Sequence, residues 1–308
     1  MKAKIFLAAL AVSMFLLAGC APVDLNAPIP SFETGVDPST WAKIPAGEFL
    51  EGQEAEPVVI DYDYEMMLTD VTVSQYTEYL TAALSQGDVK IGEFNGKKAI
   101  VGFYPGDKFH GVKHEERIDP GDWVFIPLDD PASRFTFDGT KFAPLPGYEN
   151  HPMTNVSWFG SRAYCLAQNG RLPSELEWEK AARGPSTGPG ADRPFPWGEE
   201  MALNAANFYA SRDPFEEMST FGSRTSPVGF YNGKTYGDYV TVNNASPYGL
   251  YDMAGNVWQW TSDVYEGMHY RFMRGGSKDT YDMDLRAWVR NNATPTYFSP
   301  GVGFRCVR

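Results

Sequence analysis

Helical periodicity occupies only three short stretches of this chain, and that scarcity limits the folds open to it more than any other feature. Thr72-Val73-Ser74-Gln75 has the form of a capping box, and Tyr76, Tyr79, Leu80 and Leu84 follow at helical spacing. Ser157 is placed to cap a second helix carrying Ala163, Tyr164 and Leu166, with Gly170 just past its end. Ser174-Glu175-Leu176-Glu177 repeats the capping box and opens a third helix that stops at Gly184. Everything else is short apolar pieces cut by Gly, Pro, Asn and Asp, with 30 Gly and 23 Pro in the chain. Short strands and ordered loops must therefore carry most of an α+β fold. The 8 Trp, 17 Tyr and 20 Phe supply the aromatic burial that pins such loops. Asn95-Gly96 is a hairpin turn signal between Glu93-Phe94 and Lys97-Lys98-Ala99-Ile100. Phe135 to Phe142 reads as a second hairpin, but the stretch from about 84 to 147 has little other legible pattern.

The N-terminus reads as an export signal. Met1-Lys2-Ala3-Lys4 is a small positive region, and an uncharged, mostly apolar run follows from Ile5 to Ala18. That run is too short to span a bilayer comfortably. It ends Leu17-Ala18-Gly19-Cys20, small residues and then a cysteine, which resembles the lipobox of bacterial lipoproteins. The resemblance implies removal of 1–19 and a diacylglycerol on Cys20, anchoring the chain to a membrane without spanning it. Ala21 rather than Asp follows, which by the same resemblance favours an outer membrane or cell surface outside the cytoplasm. With Pro22, Pro28, Pro30 and Pro38 and few large apolar groups, 20–40 reads as a lipidated cysteine and flexible tether. A single large domain then occupies 41–308.

The net charge is −13, or −15 once Lys2 and Lys4 leave with the signal. An acidic surface argues against nucleic acid and against anionic lipid faces as partners, and is compatible with cation binding. Beyond Cys20 only Cys165 and Cys306 remain, an even pair in an oxidising compartment, to be read as a disulfide or as two free thiols. A bridge between them would close a loop of about 140 residues, worth roughly 4 to 5 kcal/mol in the chain-entropy model.

From about Trp41 to Arg308 the chain resembles the formylglycine-generating enzyme family, the sulfatase-modifying factors. The matching pieces run in family order. Among them are Ile44-Pro45-Ala46-Gly47-Glu48-Phe49, His151-Pro152-Met153-Thr154-Asn155-Val156-Ser157-Trp158 and Gly170-Arg171-Leu172-Pro173-Ser174-Glu175-Leu176-Glu177-Trp178-Glu179. The strongest is Tyr248-Gly249-Leu250-Tyr251-Asp252-Met253-Ala254-Gly255-Asn256-Val257-Trp258-Gln259-Trp260. Arg274-Gly275-Gly276-Ser277 and Gly303-Phe304-Arg305-Cys306 close the series. The resemblance implies a loop-rich variant of the C-type lectin fold.

The family enzyme oxidises a sulfatase cysteine to formylglycine with two copper-binding cysteines, which lie between the Gly-Gly-Ser and the Gly-Phe-Arg-Cys. Here that interval has no cysteine, and Asp279, Asp282 and Asp284 are hard oxygen donors where copper(I) needs soft thiolates. No copper and no formylglycine synthesis are expected. Cys165 and Cys306 match the family's structural disulfide. The family's calcium loop matches at Asp252, Gly255, Val257 and Gln259, with Gln in place of the family's Glu, and a second calcium position matches at Asn207 and Phe208. The aspartate of that second site falls near Ser219 or Thr220. Cleft positions match at Trp258, Ser277 and Arg290, with Asp282 nearby; a cleft asparagine has become Gly301.

His110-Gly111-Val112-Lys113-His114-Glu115-Glu116 contains a His-x-x-x-His-x-Glu pattern, His110, His114 and Glu116, similar to that of the iron-dependent sulfoxide synthases, a sister group. Histidines at i and i+4 face one metal only on a helix, and Gly111 disfavours a helix here. A solvated charged loop is expected. The function expected is that of a lipid-anchored, non-oxidase family member, binding a protein or glycan partner in an envelope assembly. The alternative is a metal-dependent enzyme of different chemistry, which requires Asp279, Asp282 and Asp284 to converge.

Overall fold

In the computed structural model, residues 31–209, 211–217, 222–265 and 267–308 are described. The expected export signal, Cys20 and the expected tether up to Pro30 lie outside them. Among the described residues no helix is long and apolar enough to cross a membrane.

The chain opens with two interleaved antiparallel pairs. β1 (Trp41–Ile44) pairs with β4 (Tyr64–Met67), and between them β2 (Gly47–Glu51) pairs with β3 (Glu56–Ile60). Helix α1 (Val73–Gln86) begins at Thr72, whose side chain accepts from the Gln75 amide while Gln75 returns to the Thr72 amide. Gly87 ends it in the left-handed conformation. A meander of β5 (Val89–Phe94), β6 (Lys97–Tyr104) and β7 (Gly121–Pro127) follows. Asn95 and Gly96 both take positive φ, which is what a tight primed turn between β5 and β6 requires. The hairpin of β8 (Phe135–Phe137) and β9 (Phe142–Pro144) packs against α1.

Helix α2 (Trp158–Ala167) is capped by Ser157, and α3 (Glu175–Arg183) opens on a capping box at Ser174 and ends at Gly184. Short pairs β10 (Glu216–Glu217) with β11 (Gly222–Ser223), and β12 (Thr235–Tyr236) with β13 (Tyr239–Val240), lead to the C-terminal sheet. That sheet contains β14 (Trp258–Tyr265), β15 (Tyr270–Arg274), β16 (Arg290–Ala293) and β17 (Val302–Gly303), ordered β16-β15-β14-β17 with β14 and β17 parallel. The last residues run between β4 and residue 171: the Met67 amide donates to Cys306 O, and Arg171 and Val307 exchange backbone bonds. A disulfide joins Cys165 on α2 to Cys306, with Cα atoms 5.5 Å apart.

The three capped helices and both hairpins stand where the sequence placed them. The start of the globular unit differs from the expected boundary at 41. Phe32 packs on Phe215, Phe230 and Tyr236, and Thr34 O accepts from Asn232 Nδ2 and Lys234 Nζ. A single Phe with a docking site anchors this segment, so 31–40 belongs to the domain rather than to a free tether.

Candidate functional site

Two of the four positions matched to the calcium loop, Asp252 and Gln259, contact the guanidinium of Arg305, which is fully buried. Its Nε donates to Gln259 Oε1 at 2.9 Å, and its Nη2 donates to Tyr251 O at 2.8 Å, Asp252 O at 3.2 Å and Asp70 Oδ1 at 3.2 Å. Gln259 Oε1 also accepts from Trp178 Nε1 at 2.7 Å, and Gln259 Nε2 donates to Asp252 O at 2.7 Å. Both lone pairs of the Gln259 oxygen are thus used. Asp252 Oδ2 accepts from the Gly229 amide at 2.6 Å, and Gly255 O accepts from the Val257 amide at 2.8 Å. Burial pushes the Asp252 carboxyl up to about 6 against that bond and the nearby Arg305. The donor set does not fit the expected calcium ion: the Arg305 cation already holds Gln259 Oε1, which has no lone pair left, and lies on the Asp252 main-chain oxygen, while the Asp252 carboxylate is turned to the Gly229 amide. At the second matched position the main-chain oxygens are engaged, that of Phe208 by the Ser211 amide at 3.0 Å and that of Asn207 by the Asn256 amide at 2.7 Å. Asn207 Nδ2 donates to Arg224 O at 2.7 Å and Phe208 is buried beside Phe195 and Leu285; Ser219 and Thr220 lie outside the described residues.

In the cleft, Trp258 is a core residue packed with Trp260, Val302 and Phe304 rather than a stacking surface. Ser277 is buried, and its Oγ accepts from the Asp279 amide at 3.3 Å. A Cβ on Gly301 would come within 2.9 Å of Asp279 Oδ2 and 3.3 Å of Ser277 Oγ. The carboxylate therefore stands where the family's asparagine would project. Asp279 is held by Lys278 at 2.7 Å, while Asp282 is exposed on a short 3-10 helix, Asp282–Leu285, with Asp284 half-buried behind it. Arg290 pairs with Glu175 and lies over the Phe272 ring, 4.0 Å from its centroid. Asp279, Asp282 and Asp284 do not form a ligand set. Among the described residues, the one group of three or more His, Cys, Asp or Glu donors within 4.8 Å of one another is His110, Glu115 and His269.

That group is built by two loops distant in sequence. The 105–120 loop leaves β6 and returns to β7, its neck tied by the Asp107 amide donating to Ile118 O at 2.8 Å. Gly106 sits there at φ +88°, where a Cβ would come 2.8 Å from the Pro120 nitrogen. Glu115 folds back to accept from the amides of His110 at 3.0 Å and Val112 at 3.1 Å, and its Oε1 lies 2.8 Å from His110 Nδ1. His269, at φ +57° in the turn between β14 and β15, places Nε2 2.5 Å from the same Oε1. His269 Nδ1 faces Asp107 Oδ2 at 2.8 Å, and Asp107 is held in turn by Tyr104 and Arg271. Burial penalises the Glu115 charge, but bonds from His269, Val112 and His110 hold its carboxyl at about 2. Burial likewise opposes charge on His269, yet Asp107 and Glu115 raise its imidazole above the usual value.

The sequence pattern flagged His110, His114 and Glu116; of these the structure brings only His110 into the cluster, where Glu115 and His269 stand instead of the other two. His114 is exposed at φ +73° and points elsewhere, because the segment is a loop and not a helix. His269 carried no local signal. Its one sequence clue was rarity, as one of four histidines in the chain.

A family model for the sulfatase-modifying factor enzyme 1-like domain matches residues 31–308. The chain is 36% identical over 162 residues to the inactive C-alpha-formylglycine-generating enzyme 2 of Mus musculus, covering 50% of this chain and 48% of that protein. It is 32% identical over 185 residues to the formylglycine-generating enzyme of Streptomyces coelicolor, covering 53% and 54%. The chain thus spans about half the length of these relatives. The solved structure of PvdO from Pseudomonas aeruginosa superposes with a TM-score of 0.54 at 21% identity, over 87% of this chain and 93% of that one, a likeness of fold.

Proposed function

The chain belongs to the sulfatase-modifying factor enzyme 1-like family, and from that membership we propose a lipid-anchored, non-oxidase protein that binds a protein or glycan partner in an envelope assembly. One observation carries the reading. Cys165 and Cys306, the only cysteines after Cys20, are consumed in a disulfide, so no thiolate pair is left to hold copper(I) beside the Gly-Gly-Ser turn. The cysteine interval of the family enzyme is instead filled by the Asp282–Leu285 helix and the Lys278–Asp279 pair. A hollow of about 590 Å³ between the β5–β7 meander and the β8–β9 hairpin supports a binding role. Ile91, Leu128, Phe135 and Phe137 line it together with Lys98 and Asp129, a mixed apolar and charged lining.

Two measurements test the reading. Purified protein supplied with copper(I) and oxygen is expected to leave a cysteine peptide unchanged; aldehyde formation overturns the non-oxidase assignment. Native mass spectrometry of protein extracted from its own membranes is expected to show the lipid mass on Cys20 and a stoichiometric partner. A lone, unlipidated chain overturns the envelope-assembly assignment.

A further inference from the structure

We propose that His110, Glu115 and His269 form a binding site for a divalent transition-metal ion of the zinc type, with Asp107 as the outer partner of His269. Two imidazole nitrogens and one carboxylate oxygen form a borderline donor set. It is too poor in oxygen for calcium or magnesium and lacks the thiolate that copper(I) prefers. The Glu115 oxygen already lies 2.8 Å from His110 Nδ1 and 2.5 Å from His269 Nε2. Tetrahedral bonds of about 2.0–2.1 Å need donors about 3.3 Å apart, so each nitrogen draws back from Glu115 by less than an ångström, and all three donor atoms already lie within 4.8 Å of one another. Binding displaces the proton between His269 Nε2 and Glu115, which goes to solvent, while His110 offers the Nδ1 lone pair with its own proton on Nε2.

The surroundings are those of a metal ligand rather than of a plain ion pair. His269 Nδ1 is held by Asp107 at 2.8 Å, which fixes the ring and turns Nε2 toward Glu115. A carboxylate on the far nitrogen of a histidine is the arrangement that orients metal-bound imidazoles and raises their basicity. Asp107 is itself fixed by Arg271 and Tyr104, both outside the ligand set. Glu115 is anchored by two backbone amides and its side chain is fully shielded, while the His110 side chain is 47% exposed and leaves a route from solvent. Three protein ligands leave a fourth position open on that side. The ion would join the 105–120 loop to the β14–β15 turn, two segments that only the fold brings together.

The test uses the full chain, untagged, in detergent and stripped with a chelator. Zinc competition against a chromogenic chelator is expected to give one equivalent per chain, and cobalt(II) to develop visible d–d bands at the same stoichiometry. His110→Ala, on the exposed ligand, is expected to weaken zinc at least tenfold with the fold intact. Asp107→Asn is expected to weaken it about tenfold through the outer partner, and His114→Ala to leave it unchanged. Absence of stoichiometric zinc binding overturns the site. So does wild-type affinity in His110→Ala, which would mark an adventitious ion only. Should Asp107→Asn misfold, His110→Ala with its His114→Ala control decides alone.

Discussion

Helix α3 and the 105–120 loop are both crowded with charge, yet they resolve it in opposite ways. On α3, Glu175, Glu177, Glu179, Lys180 and Arg183 are all buried. Each has a charged or backbone partner: Glu177 has Arg171 at 2.6 and 2.5 Å, Glu179 has Arg274 at 2.6 Å and Arg183 at 3.0 Å. Lys180 donates to the carbonyls of Pro45 and Gly47, and Arg183 to that of Gly52. Arginine is permanently protonated and offers no acceptor, so a carboxylate locked to it can only hold structure. In the loop, Glu115 meets two histidines, which can give up their protons and become ligands. The partner, not the charge itself, separates scaffold from candidate site.

The largest expected effect breaks the scaffold side. Glu179→Gln leaves Arg274 and Arg183 short of a buried counter-charge and should cost about 3–5 kcal/mol in urea unfolding. A loss under about 1 kcal/mol would show that these pairs do not hold α3 in place. Next, opening the Cys165–Cys306 bridge by paired Ala substitutions should cost about 2–5 kcal/mol, since its ends are 141 residues apart. The same denaturation midpoints, compared with wild type, check it.

A third prediction contrasts histidines. His151 is buried with only Thr225 Oγ1 at 2.9 Å facing Nδ1, and with no carboxylate partner. Burial lowers its imidazole to about 3, and Arg134 and Arg224 push the same way. Its folded value lies below the unfolded one, so its contribution is present above about pH 6.5 and is lost as pH falls toward 3. Wild type should lose about 1–2 kcal/mol more than His151→Gln between pH 6.5 and 5. Parallel stability–pH curves would contradict the buried neutral state. The smallest effects fall on exposed or already engaged groups. His110→Ala should change stability by less than about 0.5 kcal/mol, as a half-exposed side chain off the core. Millimolar calcium should leave the melting temperature of the full chain unchanged, because Arg305 and Trp178 already take both lone pairs of Gln259 Oε1 and the Asp252 carboxylate accepts from the Gly229 amide; a clear upward shift would reinstate the calcium loop.

Much of the frame was legible from the sequence, and the reason is local chemistry. Thr72, Ser157 and Ser174 announce helices because a cap bonds to an amide within three residues. Asn95-Gly96 sets a hairpin because both residues tolerate positive φ. The family pieces carried the disulfide pair and the missing copper cysteines. The role of Gln259 was not legible, since its oxygen is taken by Trp178 and Arg305, 81 and 46 residues away. Nor was the docking of 31–40, which rests on an aromatic pocket assembled from residues near 215, 230 and 236.

By itself the sequence determined where helices start and stop, where hairpins turn, which cysteines remain and that none of them lies between Ser277 and Cys306. Only the tertiary structure decided which charges face arginines, which histidine joins His110 and Glu115, and where the globular unit begins. Caps and turns are settled within a few residues of backbone. A donor set spanning 154 residues from Glu115 to His269 exists only once the β6–β7 loop and the β14–β15 turn are folded against one another.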